Sequence, residues 1–335
     1  MDEKINILND ALKWFLPSAD FSVFSYSSSD SEKPHSHFLV SPNENRFFEK
    51  GKYFYKDESK PIHFTSLETI RSILTSKTLR LYNFNNMDDP LEYEFSGHLF
   101  NDQSEIIKDA KENIFSISFC SEKLLDKSRD HDQFNQWRLY GKNGKGVCIV
   151  FSLNNDPLGW VNHHMSKVHY AKVRVGKSHS GFGKIKALLE KLNKTEPKIN
   201  FDFGKLFCFH KSFLYSNEEE IRLIFDGREK RTGFGYTRYC HKDEFLYPKT
   251  TVDNSKEKVN VVVKYLDLPL DENQLPNKFE IPFIKIEKII LGYAYSLKEH
   301  NKISNELKKL ANENIKYEPK IVRSKLAIQY WGDNK

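Results

Sequence analysis

Three short stretches of this 335-residue chain combine residue types that can do chemistry. The first is Glu218-Glu219-Glu220-Ile221-Arg222. Read as a strand, it puts Glu218, Glu220 and Arg222 on one face, because side chains two apart point the same way. Ile221, Leu223 and Phe225 then alternate on the opposite, buried face. The charged row is either a solvated ladder or the wall of a cleft. In a cleft, one glutamate could accept a hydrogen bond from a ribose hydroxyl while the arginine keeps it ionised. The second stretch is His63, followed by Thr65 and Ser66, where a strand hands over to a helix. Its plainer reading is a strand-end histidine bonded to a nearby carbonyl. The third is FNQWRLYGKNGKG, Phe134 to Gly146. Trp137 and Tyr140 lie three apart on one helical face, ahead of a Gly/Lys turn. They are either core aromatics beside an ordinary loop or a stacking surface beside a lysine-rich phosphate contact.

The elements around these stretches set their positions. Ile62 to Glu94 packs a strand, a capped helix, a second strand and a polar turn into little more than thirty residues. Thr65 and Glu68 have capping-box spacing, and Leu67, Ile70, Ile73 and Leu74 recur at helical spacing. Leu79 and Leu81 alternate with Arg80 and Tyr82, as in a strand, and a turn follows from Asn83 to Pro90. Further strands are predicted at Ile114–Cys120, Val147–Leu153, Glu220–Phe225, Asn260–Tyr265 and Glu287–Tyr293, with minor or edge strands at Phe38–Leu39, Tyr53–Tyr55, Ile315–Tyr317 and Leu326–Tyr330. Helices are predicted at Leu8–Leu16, Gln133–Tyr140 (stopped by Gly141), Lys184–Lys194, Phe203–Tyr215 and Leu297–Glu313, and loops at Ser18–His37 and Ser121–Asp132. Strands dominate the centre with helices between them, so the class is α+β with a mixed sheet. Residues 1–55 read as an N-terminal helix with a serine-rich extension, and 56–335 as a single catalytic-type domain.

Composition excludes several classes. Hydrophobic residues make up 39% and charged residues 29%, which is globular rather than disordered. The net charge of +6 is compatible with an anionic ligand or nucleic acid but is mild for this length. No apolar run approaches the roughly 20 residues a membrane span needs, and MDEKINILND is too polar for a secretory signal. Cys120, Cys148, Cys208 and Cys240 are far apart and read as reduced thiols in a cytoplasmic protein. No metal is expected: His163-His164 with His169, and His35 with His37, lack a carboxylate or cysteine at an established spacing. GxGxxG, GxxxxGK[ST] and GxSxG do not occur, which removes the usual support for dinucleotide oxidoreduction, P-loop chemistry and serine hydrolysis.

The run IHFTSLETIRSILTSKTLRLYNFNNMDDPLE resembles the opening of a bacterial family known as domain of unknown function twenty-nine seventy-one. That family has a histidine-aromatic-threonine strand, a helix, a "tlrl" strand and an Asn-Asp-Pro-aliphatic-Glu turn. FSISF with QWRLYGKNGKGVCIVF resembles its second block, EEEIR its late Glu-x-Glu-x-Arg element, and IEKIILG its last strand. The ordered set runs from about Ile62 to Ile328, with Asp88 standing where the family has Asn. A weaker resemblance is to ADP-ribosyltransferase-type folds. It implies an ADP-ribosyltransferase-like core, a central and mostly antiparallel mixed sheet, and NAD as substrate. His63 would orient the NAD ribose, Glu220 would be the final catalytic glutamate beside Arg222, and Glu218 would orient the acceptor. Tyr82, Trp137 and Tyr140 share the aromatic slot, and Thr65, Ser66 and Ser118 complete the cofactor-binding set. The implied function is ADP-ribosyl transfer or NAD cleavage by an intracellular effector of toxin or phage-defence type, with a nucleic-acid or protein acceptor. The competing reading is a non-catalytic nucleotide- or nucleic-acid-binding module, supported by the lysines of 184–198 and the 14% aromatic content.

Overall fold

The computed structural model describes residues 2–12, 21–27, 36–42, 49–56, 59–86, 92–93, 95–96, 105–125, 130–172, 180–194, 204–228, 245–250, 258–275 and 280–327. In chain order, helix α1 (Asp2–Leu12) is followed by β1 (Phe21–Ser27), β2 (Ser36–Pro42) and β3 (Pro61–Thr65). Then come α2 (Leu67–Ser76), β4 (Thr78–Asn83), α3 (Glu105–Asn113), β5 (Ile114–Ser121), α4 (Asp130–Leu139) and β6 (Val147–Leu153). The chain continues through β7 (His163–Lys167), β8 (His169–Ala171), α5 (Ser180–Leu192), α6 (Gly204–Phe207), β9 (His210–Ser212) and β10 (Glu220–Asp226). It ends with β11 (Phe245–Thr250), β12 (Lys258–Val263), β13 (Tyr265–Pro269), β14 (Ile284–Leu291), α7 (Leu297–Asn314) and β15 (Lys320–Arg323). The protein is α+β, with a nine-stranded sheet that is antiparallel except where β14 and β15 run parallel.

That sheet forks at β5. One edge of β5 pairs with β10 from Ile114 to Cys120. The other edge is shared: Phe115 and Ser116 pair with β4, whereas Cys120 and Ser121 pair with β3. From the fork one arm runs β3-β6-β14-β15 and the other β4-β13, while β7 lies outside β10. Helix α2 bridges the arms. Its Ile70, Ile73 and Leu74 are buried with Leu79, Leu81, Ile149 and Phe119 in the main core, and Leu307 and Ala311 of α7 join from the same side. An ion pair, Arg71 Nε to Glu306 Oε1 at 2.6 Å, ties α2 to α7. A second core joins α1 to α5: Leu8 and Leu12 pack with Ile185, Leu189 and Leu192, and Lys4 Nζ donates to the Leu192 carbonyl at 2.7 Å. The lysine-rich α5 thus uses its apolar face on α1 and turns Lys184 and Lys191 to solvent. No described helix is long and apolar enough to cross a membrane.

Several sequence expectations shift. The cap of α2 is Ser66 rather than Thr65, because Thr65 is still paired in β3 opposite Val147; the Ser66 hydroxyl accepts from Thr69 N–H at 3.0 Å. Part of the expected loop Ser18–His37 is strand: Phe21–Ser27 pairs antiparallel with Ser36–Pro42. Tyr53–Tyr55 is a turn, with both tyrosines buried. The helix expected over Phe203–Tyr215 lasts only to Phe207, since His210–Ser212 pairs in parallel with His169–Ala171 and Phe213–Glu218 is a 3-10 turn. The strand expected at 260–265 is interrupted at Lys264, where β12 ends before β13 begins. The edge strands expected at Ile315–Tyr317 and Leu326–Tyr330 do not form as placed: 315–317 is the turn after α7, residues 325–327 are helical, and the edge strand is instead Lys320–Arg323. Residues 13–16, Met87–Pro90, 126–129, Cys240 and 328–330 lie outside the described residues.

Candidate active site

The two faces of the β5–β10 pair differ completely. Ser118 stands opposite Arg222 and Cys120 opposite Glu220. Phe115, Ile117 and Phe119 with Ile221 and Leu223 enter the main core from one face. Ser116, Ser118, Cys120, Glu220 and Arg222 occupy the other, as alternation requires.

On that second face charges are buried together. Arg222, 1% exposed, donates from Nε to Glu220 Oε1 at 2.8 Å, from Nη2 to Glu92 Oε1 at 2.5 Å and from Nη1 to the Cys208 carbonyl at 2.6 Å. Lys211 Nζ reaches Glu220 Oε2 at 3.0 Å, Glu92 Oε2 at 3.0 Å and Glu218 Oε2 at 2.7 Å. The Ser118 hydroxyl donates to Glu220 Oε1. Tyr170 OH accepts from Glu220 N–H at 2.9 Å. At the outer end Tyr140, 43% exposed, donates its hydroxyl to Glu218 Oε1 at 2.7 Å. Three carboxylates against two cations leave a net charge of −1 (2 − 3) when all are ionised.

At the centre of the cluster the electrostatics favour the charged forms of Glu220, Arg222 and Lys211. Burial pushes the Glu220 carboxyl up, but Arg222 and Lys211 outweigh it and hold it below the usual glutamate value. Burial likewise works against the charges of Arg222 and Lys211, and the surrounding glutamates raise both above their ordinary values. Burial first, and Glu218 second, push the Tyr140 phenol up, so it remains a donor. Burial also raises the Cys120 thiol well above the normal range, so it is no ready nucleophile.

The expected site residues divide. Glu220, Arg222, Glu218, Ser118 and Tyr140 come together. Glu218 does so for a different reason than strand alternation: it ends the 3-10 turn, and Glu219, at φ 44°, swings the chain into β10. Lys211 then gathers Glu218 and Glu220. His63 begins on the other face. Ile62, opposite Cys120, shares the Glu220 side, so its neighbour His63 points toward Ile149 and sets its ring edge-on to Phe119 at 6.2 Å. Its Nδ1–H donates to the Ser118 carbonyl at 2.9 Å, since a carbonyl can only accept. This is the plainer reading of that histidine, at the open fork. His63 and Glu220 therefore do not share a face, and Ser118 bonds to both, by its carbonyl to His63 and by its hydroxyl to Glu220. Burial lowers the His63 pKa, which keeps the ring neutral.

Thr65 ends β3 and Ser66 caps α2, where its hydroxyl accepts from Thr69 N–H. Tyr82 is 43% exposed and stands opposite Ser116, on the Glu220 side, beside Tyr265. Trp137 drops out of the aromatic slot: it is fully buried, edge-on to Phe64 at 4.9 Å, so it is core. Close packing on it also explains Gly141, where a Cβ would lie 2.5 Å from the Trp137 ring. Lys211 and Glu92 were missed by sequence reasoning. Lys211 sat inside a segment read as helix. Glu92 had a usable signal, as the glutamate closing the polar run Asp88-Asp89-Pro90-Leu91-Glu92. The three described cysteines, Cys120, Cys148 and Cys208, are not joined to one another by disulfides. Among the described residues no three His, Cys, Asp or Glu side chains group so as to hold a metal ion.

Fold and site together define an α+β protein with a buried carboxylate–guanidinium–ammonium cluster on one sheet face, opened to the surface at Tyr140 and Glu218. Residues 136–223, which carry Tyr140, Lys211 and Glu218–Arg222, match the family model described as "Protein of unknown function (DUF2971)". The family resemblance is thus upheld over that segment. No curated protein and no solved structure matches the chain.

Proposed function

We propose that this protein acts on NAD, breaking the bond between nicotinamide and ribose and passing the ADP-ribosyl group to water or to a nucleophile on a protein or nucleic acid. The observation that carries the reading is the fixed cluster of net charge −1, whose outermost carboxylate, Glu218, sits beside an exposed tyrosine. Cleavage of that bond builds positive charge on the ribose carbon, as in glycoside cleavage. A preorganised negative site favours that charge more than it favours intact NAD, and this difference is what lowers a barrier. Glu218 is the group that meets the ribose, Tyr140 offers its ring to nicotinamide, and Glu220, saturated by Ser118, Lys211 and Arg222, positions Lys211 and Glu218. His63 holds the Ser118 strand in place. An ADP-ribosyltransferase-like core and an effector role in toxin action or phage defence belong to this reading through the resemblance alone.

The test is nicotinamide release from NAD, with cell RNA, DNA and protein supplied as acceptors. Glu218→Gln should lower turnover on the order of a hundred- to thousandfold while the protein remains folded at the assay temperature, checked by its melting curve. Glu219→Gln, whose side chain is exposed, is the control. If the wild type releases no nicotinamide with any fraction, or both variants behave alike, the enzyme reading fails. A binding module would then replace it, on the strength of the exposed Phe134, Leu139 and Tyr140 beside Lys142 and Lys145.

A further inference from the structure

The mouth of the charge cluster is bordered by apolar side chains that the fold leaves in water. Of the eight large apolar or aromatic side chains exposed among the described residues, five belong to two short elements that meet there. Phe134, Leu139 (61% exposed) and Tyr140 lie on α4 and the residue after it, and Phe213 and Leu214 (87% exposed) open the 3-10 turn that ends at Glu218. The two elements run side by side, because Gln136 Nε2 donates to the Asn217 carbonyl at 3.3 Å and Tyr140 OH to Glu218 Oε1 at 2.7 Å. Single exposed apolar residues need no account, whereas a gathering of them marks a contact surface. Two of the aromatics are held in place. The Phe134 ring lies 5.7 Å from that of the buried Tyr293 at an angle of 30°, and Lys172 Nζ stands 4.1 Å over the Phe213 ring.

Charge decides what covers this surface. Arg138 and Lys172 are exposed among these side chains, and Lys142 and Lys145 continue beyond Tyr140. Glu68 and Glu299 act on the last two, but each is engaged at a helix start. At the mouth itself Glu218 is bonded by Lys211 and Tyr140, and Glu219 is exposed. Four exposed cations beside one exposed carboxylate suit a polyanion, and protein interfaces select against lysine. Aromatic faces next to cations match unstacked bases and their phosphates, and a duplex keeps its base faces hidden. We propose that α4 and the Phe213–Glu218 turn bind a single-stranded nucleic acid, and that this strand accepts the ADP-ribosyl group. Strand binding stands on the surface alone, and the acceptor role rests on the NAD reading. In the transfer, the bond from the ribose carbon to nicotinamide breaks, and a nitrogen or hydroxyl oxygen of the strand forms the new bond to that carbon. Nicotinamide leaves neutral, and the proton of the nucleophile passes to solvent.

Fluorescence anisotropy of the full chain with labelled single-stranded RNA, single-stranded DNA and duplex DNA tests the surface. A single strand should bind, more weakly as salt rises, and the duplex should bind less well. Phe213→Ala/Arg138→Ala should weaken strand binding by about tenfold or more in a protein that still melts cooperatively. Phe213→Tyr, which keeps the ring, and Lys184→Ala/Lys191→Ala on α5 should bind as wild type does. Incubation of the same strands with labelled NAD then reads the acceptor role. The proposal is overturned if neither strand binds, if the Phe213/Arg138 double variant binds as wild type does, or if label from NAD passes to cell protein and never to a strand. Strand binding that needs Phe213 and Arg138, with no nicotinamide release by wild type, upholds the surface and removes NAD cleavage. Nicotinamide release by a wild type that binds no strand removes the surface and keeps the cleavage.

Discussion

The two faces of the β5–β10 pair are made by alternate residues of the same strands and are stabilised by different physics. On one side Phe115, Ile117, Phe119, Ile221 and Leu223 add burial in increments, so neighbours absorb part of any loss. On the other, Glu92, Lys211, Glu220 and Arg222 are each bonded to more than one partner, and deleting one strands the rest without water. A core face degrades gradually, whereas a buried charge cluster is either complete or costly. The largest test is Arg222→Met, which leaves Glu92 and Glu220 buried without their guanidinium. It should cost about 3–5 kcal/mol in urea unfolding. Leu223→Ala, the next residue but on the packed face, belongs to the class costing about 2–5 kcal/mol. The contrast is broken if Arg222→Met costs less than about 1 kcal/mol, the size of a surface pair.

Acid should separate the faces without any mutation. Arg222 and Lys211 hold the Glu220 pKa below its unfolded value, so the unfolded chain takes up that proton first as pH falls. The stabilisation is complete above the unfolded glutamate pKa of about 4.3 and is lost as pH falls through the lower folded value. Asp226, held low despite burial by Arg228 and Lys205, adds to the same slope. Unfolding midpoints of wild type and Glu220→Gln should therefore differ most at neutral pH and converge as the pH is lowered through that folded value. Leu223→Ala should instead keep a constant offset from wild type. A Glu220→Gln offset that is equally flat would mean its carboxylate carries no charge-dependent stability.

The smallest effect is expected where the chain turns into β10. Glu219 has φ 44°, a conformation that costs an ordinary residue roughly 1–2 kcal/mol and glycine almost nothing. The extra chain entropy of glycine takes back about 0.5–1 kcal/mol. Glu219→Gly should leave stability unchanged or raise it by up to about 1 kcal/mol, read as melting midpoint. A clear fall would show that the turn is held by the Glu219 side chain.

What the sequence made legible follows the same division. IFSISFC, VCIVFSL and EIRLIF are recognisable as strands because their burial is written as apolar runs or alternation, and the observed strands begin at the expected residues. The helix over Leu297–Glu313 was equally plain; the structure adds its capping box at Ser296 and Glu299. Phe21–Ser27 was hidden because its serines mimic a loop and neither of its faces is uniformly apolar in sequence. The helical spacing of Leu206, Phe207 and His210 was overridden by pairing with His169–Ala171, a contact 41 residues away (210 − 169) that no local pattern encodes. The site was half legible for a related reason. Glu220 and Arg222 share a face by periodicity, but Lys211 and Glu92 arrive from elsewhere in the chain, and only the tertiary fold gives them their partners. His63 shows the reverse: its place at a strand end was correct, and one step of alternation put its ring on the far face.

The fork at β5 also has a consequence during synthesis. Strand β4 finds its outer partner only in β13, with Tyr82 opposite Tyr265, 183 residues later (265 − 82). At about 5–20 residues per second, the nascent chain spends roughly 10–40 s with that edge uncovered. Unpaired edges of this kind recruit other chains. Arg80, which in the finished fold pairs with Asp267 and lies over the Tyr265 ring, is then an exposed cation in the middle of the waiting strand. Its charge guards the edge against a stranger's strand until Asp267 emerges to meet it.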